Sequence, residues 1–182
     1  MNKIEKCHLI LYRAESLLVN IAAASLFGIM LIVVFDVVMR YGLNAPLSWS
    51  YELISMYLMV VLFFFALSHT LADDGHICVD ILHIRISARS RHFCLAAGYW
   101  LSAVLFSIIL WISAERTWVS YIQQDVTAGE IAWPMWLSQL CVPVGVGLLL
   151  ARILLRAVGH TLSGLQDRPI VPLPLVSGHE TE

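Results

Sequence analysis

Four long runs of this chain carry no Asp, Glu, Lys or Arg: Ser16–Phe35, Leu53–Ala72, His92–Ala114 and Ile131–Ala151. Each is about 20 residues long, and at about 1.5 Å of rise per residue such a helix crosses a hydrocarbon core of about 30 Å. A soluble core helix rarely stays uncharged for so long. The pattern predicts an all-α membrane protein with short loops. Its four transmembrane helices are expected at about 16–39, 50–72, 92–118 and 134–156. Residues 1–15 hold Ile4, Leu9, Ile10 and Leu11 among Lys and Glu, and are expected to lie along the inner interface as an amphipathic segment. Residues 16–160 then form the membrane domain, and the Pro-rich, polar stretch 161–182 is expected to be a disordered cytoplasmic tail.

Composition agrees with the pattern. The 182 residues are 59% hydrophobic and 13% charged, with mean hydropathy +0.80, whereas soluble chains are about a quarter charged. Lys3, Lys6 and Arg13 precede the first apolar run as in a signal peptide, but the run is too long for a signal core and reads as an uncleaved first span. Cys7, Cys78, Cys94 and Cys141 form neither a CxxC nor a CxxH spacing. They read as small buried hydrophobes, with no disulfide framework and no zinc site. No internal repeat is present.

The net charge of -2 hides an asymmetry. Nine of the 11 Lys and Arg residues fall before the first run, between the second and third, or after the fourth, Arg152 and Arg156 among them. The other two connections hold only Arg40 and Arg116. Positive residues stay cytoplasmic, so both termini and the middle connection are expected on that side, and the first and third connections outside. Trp49, Trp118, Trp133 and Trp136 cluster at the outer ends, where indoles sit at headgroup level. Trp100, Trp111 and Trp118 share one face of the third span, as an anchoring stripe or a surface for a partner helix.

Polar residues gather at the boundaries. Asp36 and Arg40 stand four apart and can pair on one helix face. Gly42-Leu43-Asn44-Ala45-Pro46 is a turn. Ser48 or Ser50 can cap the second span, and Glu52 falls in its first turn, where the helix dipole favours an anion. Pro134 suits a helix start, and Pro143, Gly145 and Gly147 lie in the fourth span, where small residues allow close packing.

What is missing narrows the function. No charge lies at the centre of any span, and only Pro143 hints at the broken helices that carriers use to bind solutes and ions. A self-sufficient carrier is therefore not expected. His69 and His92 could face each other near the inner edge, which keeps open a cytochrome b-type or quinone-linked membrane anchor of an oxidoreductase. A signalling protein would need a folded output domain. No catalytic group, metal site, cofactor site or nucleic-acid surface is identified. Arg40, Asn44, Trp49 and Glu52 at the outer end, with His76 and Asp80 at the inner end of the second span, read either as caps and anchors or as groups that dock a larger membrane partner.

Three stretches carry a family resemblance. Arg40-Tyr41-Gly42-Leu43-Asn44-Ala45-Pro46-Leu47-Ser48-Trp49-Ser50-Tyr51-Glu52-Leu53 has the Arg-Tyr, Asn-x-Pro, Trp and Glu of the family. Gly75-His76-Ile77-Cys78-Val79-Asp80 has its Gly-His-Ile-x-Val-Asp. Trp133-Pro134-Met135-Trp136-Leu137 precedes Pro143-Val144-Gly145 and Arg152. In these the chain resembles the small membrane subunit (DctQ-like) of tripartite ATP-independent periplasmic, or TRAP, transporters. One departure is the single acid Glu52, preceded by Tyr51, where many relatives carry two adjacent acids. The resemblance implies a bacterial inner-membrane protein that is not an enzyme. It implies a large, sodium-coupled permease subunit and a periplasmic solute-binding protein as partners, besides membrane lipids. The imported solute would be a small organic anion. It further implies that Arg40, Asn44, Pro46, Trp49, Glu52, His76 and Asp80 maintain the subunit's shape and contacts without touching substrate.

Overall fold

The computed structural model describes residues 3–72, 88–129 and 131–166, with side chains from residue 11 in the first stretch and 93 in the second. Helix α1 is Lys3–Gly42. The second span is built from α2 (Ser50–Leu53), a π-helical segment (Ile54–Leu58) and α3 (Met59–Ala72). Helix α4 is Ala88–Gln123 and α5 is Met135–Gln166. Four stretches among the described residues are long and apolar enough to cross a membrane: Leu11–Gly42, Ser50–Leu71, Phe93–Gln123 and Met135–Leu165. The all-α, four-span architecture expected from the apolar runs is the one observed.

The helices outrun the uncharged runs. Helix α1 continues without a break through residues 15 and 16, and Leu11 and Glu15 are buried. Helix α5 runs past residue 160 to Gln166, into the stretch expected to be disordered. It does so because Ala157, His160 and Ser163 are buried and Gly164 lies against the Phe93 ring of α4. Tertiary packing, more than local propensity, holds such a helix end in place.

Across the bundle the order is α1, α3, α5, α4, each packed chiefly on its neighbour. Helix α5 is central: 33% of its most apolar window is buried, against 11% in each other span. The buried positions of α4 step by three and four. Ala96, Ala103, Thr117 and Ser120 are buried, and Tyr99, Phe106, Leu110 and Ser113 between them are half-buried. Val146, Leu149, Ile153, Ala157 and His160 of α5 follow the same spacing. This is the seam of an antiparallel helix pair, and its small residues let backbones approach in lipid, where no hydrophobic effect drives helices together.

Leu71, Ala103, Leu149 and Ile153 join α3, α4 and α5 in one cluster. At Gly145 a β-carbon would run into the Phe64 carbonyl of α3, so only glycine fits this crossing. Hydroxyls within the helices donate to carbonyls one turn back, as Ser25 does to Ile21, Ser107 to Ala103 and Thr117 to Ser113. Each would otherwise be an unsatisfied polar group in hydrocarbon.

Candidate functional site

Polar side chains concentrate in two places: the Trp-rich end, with connections 43–49 and 124–134, and the opposite end, where α1, α3 and α5 meet.

At the Trp-rich end the Asp36–Arg40 pair forms as expected, with Arg40 Nη2 donating to Asp36 Oδ2 at 2.6 Å. Asp36 is buried and Arg40 is half in solvent, its side chain 55% exposed. The other Asp36 oxygen accepts the Leu47 backbone N–H at 2.8 Å, so the carboxylate latches the connection onto α1. Asn44 supplies the turn with a positive φ of 51°, a conformation that Asn tolerates better than most residues. Asn44 and Pro46 are exposed and Trp49 is half-buried.

The expected serine cap does not form. Trp49 holds the N-cap position without a side-chain bond, and Ser50 Oγ instead donates back to the Leu47 carbonyl at 2.7 Å. Glu52 does lie in the first turn of α2.

The second connection folds over this start. Asp125 and Thr127 exchange backbone bonds with Met135 and Trp133 (2.9 and 3.0 Å), and Thr127 Oγ1 accepts the Trp133 N–H at 3.1 Å. Gly129 sits directly on the Glu52 carboxylate, leaving no room for a β-carbon. Tyr57 of the π-helical segment donates to the Pro134 carbonyl at 2.6 Å, and Ser138 of α5 donates to the Met56 carbonyl. A π turn frees carbonyls from the helical ladder, and here one of them is met by the neighbouring span. The end is therefore a clasp of two connections. Arg40 works through Asp36 on the first and Glu52 under the second, with no direct bond between the two residues.

His76 and Asp80 lie outside the described residues.

The other site was not among the residues expected from sequence. Glu15 of α1 and Arg152 of α5 form an ion pair, with side chains only 0% and 3% exposed. Arg152 Nε donates to Glu15 Oε1 at 2.9 Å, and its Nη2 meets Oε2, so the guanidinium grips the carboxylate with two nitrogens. Ser68 Oγ of α3 donates to the same Glu15 Oε1 at 2.5 Å. Three spans are tied at one carboxylate.

A second polar group adjoins it on α5. His160 is buried and stacks on Tyr99 with ring centroids 5.5 Å apart, and Arg156 reaches the Tyr99 hydroxyl at 3.3 Å. His69, the histidine weighed as a haem ligand, packs against Tyr12 at 6.0 Å between centroids. The His92 side chain is outside the described residues. Among the described residues no three His, Cys, Asp or Glu converge on a metal position.

The charge distribution counts Arg152 on the cytoplasmic side, within the expected fourth span 134–156, and the structure buries it. Glu15 sits 21 positions before Asp36, about 31 Å along α1, one hydrocarbon thickness from the clasp. The hint was present in two charges at the inner ends of separate apolar runs. Nothing in the order of residues says that those ends meet.

Comparisons with known proteins bear on most of the chain. The family model described as "Tripartite ATP-independent periplasmic transporters, DctQ component" matches residues 29–162, which include the clasp and Arg152 but not Glu15. The "C4-dicarboxylate TRAP transporter small permease protein DctQ" of Rhodobacter capsulatus is 29% identical over 123 residues, 68% of this chain and 52% of that protein. The chain thus spans about half the length of the curated relative it matches. No solved structure matches.

Proposed function

The chain belongs to the DctQ-component family of the tripartite ATP-independent periplasmic transporters, and on that premise we propose that it is the scaffold of a solute importer. It is a multi-pass inner-membrane protein of a family of transporter components rather than enzymes. In this reading it braces a large, sodium-coupled permease subunit, and a periplasmic binding protein delivers a small organic anion to that subunit. In the same reading the Trp-rich end faces the periplasm and both termini face the cytoplasm, which the distribution of Lys and Arg supports.

The single observation that carries the scaffold reading is the state of the intramembrane charge. The Glu15–Arg152 pair is closed off from solvent and bonded on both sides. An ion or solute path would need such groups to line a cavity and change partners. A sealed pair instead fixes the spacing of three spans, which suits a rigid support.

The partner contacts would come from the family-matched residues Arg40, Asn44, Pro46, Trp49 and Glu52, together with His76 and Asp80. The exposure of Arg40, Asn44 and Pro46 is consistent with that use. The test is to tag this chain and purify it from membranes that also hold the large subunit. Co-purification should fall for Arg40→Ala and Glu52→Ala, and sodium-driven uptake should fall in proportion. Concentrative uptake by the isolated chain in liposomes would overturn the scaffold reading. So would normal assembly of those variants with altered substrate preference.

A further inference from the structure

Two adjoining cavities, about 460 and 370 Å³, lie along one flank of α4 and α5 and share Ile112, Arg116 and Gln139. Their characters differ along the helix axis. Towards the Trp-rich end the wall adds Glu115, Ser120 and Asp125. Towards the membrane centre it adds Ile109 and Val142.

Arg116 is exposed and forms no ion pair among the described residues. Ser120 is only 2% exposed, yet its hydroxyl has no partner, and neither has the buried Gln139 Oε1. Buried polar groups are ordinarily bonded, but these two atoms are themselves covered, so the groups that the crevice presents openly are charged ones of its wall, Arg116 and Glu115.

Depth is fixed by the seam. Ala103 clusters with Ile153, the neighbour of Arg152. Arg116 is 13 positions further along α4, about 20 Å. That leaves its backbone about 10 Å short of a full hydrocarbon thickness of about 30 Å above the buried pair, and its long side chain extends from there towards headgroup level. Trp118 and Trp136, on the other flank of the same helices, mark the same level.

We propose that this crevice binds one phospholipid with a primary ammonium headgroup, of the phosphatidylethanolamine type. Arg116 takes the phosphate. The carboxylates of Glu115 and Asp125 take the ammonium. The upper acyl chain runs over Ile109, Ile112 and Val142. Charge selects this lipid class: two carboxylates and one guanidinium leave the crevice with one net negative charge, which a zwitterionic head leaves unchanged and an anionic head would double.

The experiment is native mass spectrometry of the full chain during stepwise delipidation, after exchange into phosphatidylethanolamine or phosphatidylglycerol. One phosphatidylethanolamine should be retained longest. Arg116→Gln should lower its retention about tenfold, the effect of losing one charge-assisted bond. Asp125→Asn should lower retention of phosphatidylethanolamine while raising that of phosphatidylglycerol. Thr70→Ala, at the opposite end, should change neither. Equal retention of the two lipids, or an Arg116→Gln protein that holds phosphatidylethanolamine as well as the parent, overturns the proposal. A photoreactive residue at position 116 in intact membranes should label lipid; labelling of a second protein instead would assign the crevice to a protein partner and overturn it as well. Neither readout depends on transport, so failure here is distinguishable from failure of the scaffold reading.

Discussion

The two ends of this bundle solve the same problem in opposite ways. At the Trp-rich end, polar groups are held by neighbours in sequence or by backbone: Asp36 binds Arg40 one turn on and Leu47 in the adjoining connection. At the far end, Glu15 and Arg152 are 137 residues apart and nearly sealed from solvent. The first end can be repaired by water if a bond is lost, because it lies at the membrane boundary. The second cannot. Removing one partner there strands a charge where no water can reach it, and the cost falls on the whole bundle.

That difference orders the expected effects. The largest is at the sealed pair: Arg152→Leu or Glu15→Leu alone should cost about 3–5 kcal/mol, seen as loss of folded protein in membranes and a much lower Tm in detergent. The double replacement should recover most of that loss. If it does not, the pair is more than a mutual neutralisation, and Ser68 or the His160 group depends on it.

Next is the α3–α5 crossing, where Gly145→Ala forces a methyl group against the Phe64 carbonyl and should cost about 1–3 kcal/mol. Thermal unfolding of the purified chain measures it. At the clasp, Asp36→Ala should cost about 1–3 kcal/mol, since the Arg40 guanidinium and the Leu47 N–H both lose their charged acceptor. Arg40→Ala should cost less than about 1 kcal/mol because that side chain is half exposed. An Arg40 variant that is stable yet loses its partner would separate docking from folding. The smallest effect is a gain: Gln124, just past the end of α4, has φ at 52°, and Gln124→Gly should raise stability by under about 1 kcal/mol. Equal penalties for Arg152→Leu and Arg40→Ala would erase the distinction between the two ends.

Much of the clasp could be read from the order of residues. Asp36 and Arg40 stand one helical turn apart, Asn44 and Pro46 mark a turn, and Glu52 follows Trp49 at a helix start. These are short-range relations, set by the pitch of a helix and the conformations that single residues tolerate. The cap assigned to Ser48 or Ser50 failed for the same reason that it was attractive: a serine near a helix start has several local carbonyls within reach, and Ser50 uses that of Leu47. The first helix begins earlier and the last ends later than the apolar runs alone indicate. Glu15, Arg152 and Arg156 lie within continuous helices because each charge finds a partner in another span.

The chain on its own settled how many times it crosses the bilayer, since a helix long enough and apolar enough has nowhere else to bury its surface. It also settled the turn chemistry of the first connection and, through its motifs, the family. Which face of each span is inside was a matter for the tertiary structure, because runs apolar on every side carry no stripe. Small residues at steps of three and four decide it only once a neighbouring helix fills the space they leave. The same holds for Glu15 and Arg152: an ion pair can neutralise two charges only after folding has brought them together, and no spacing along a chain encodes that meeting.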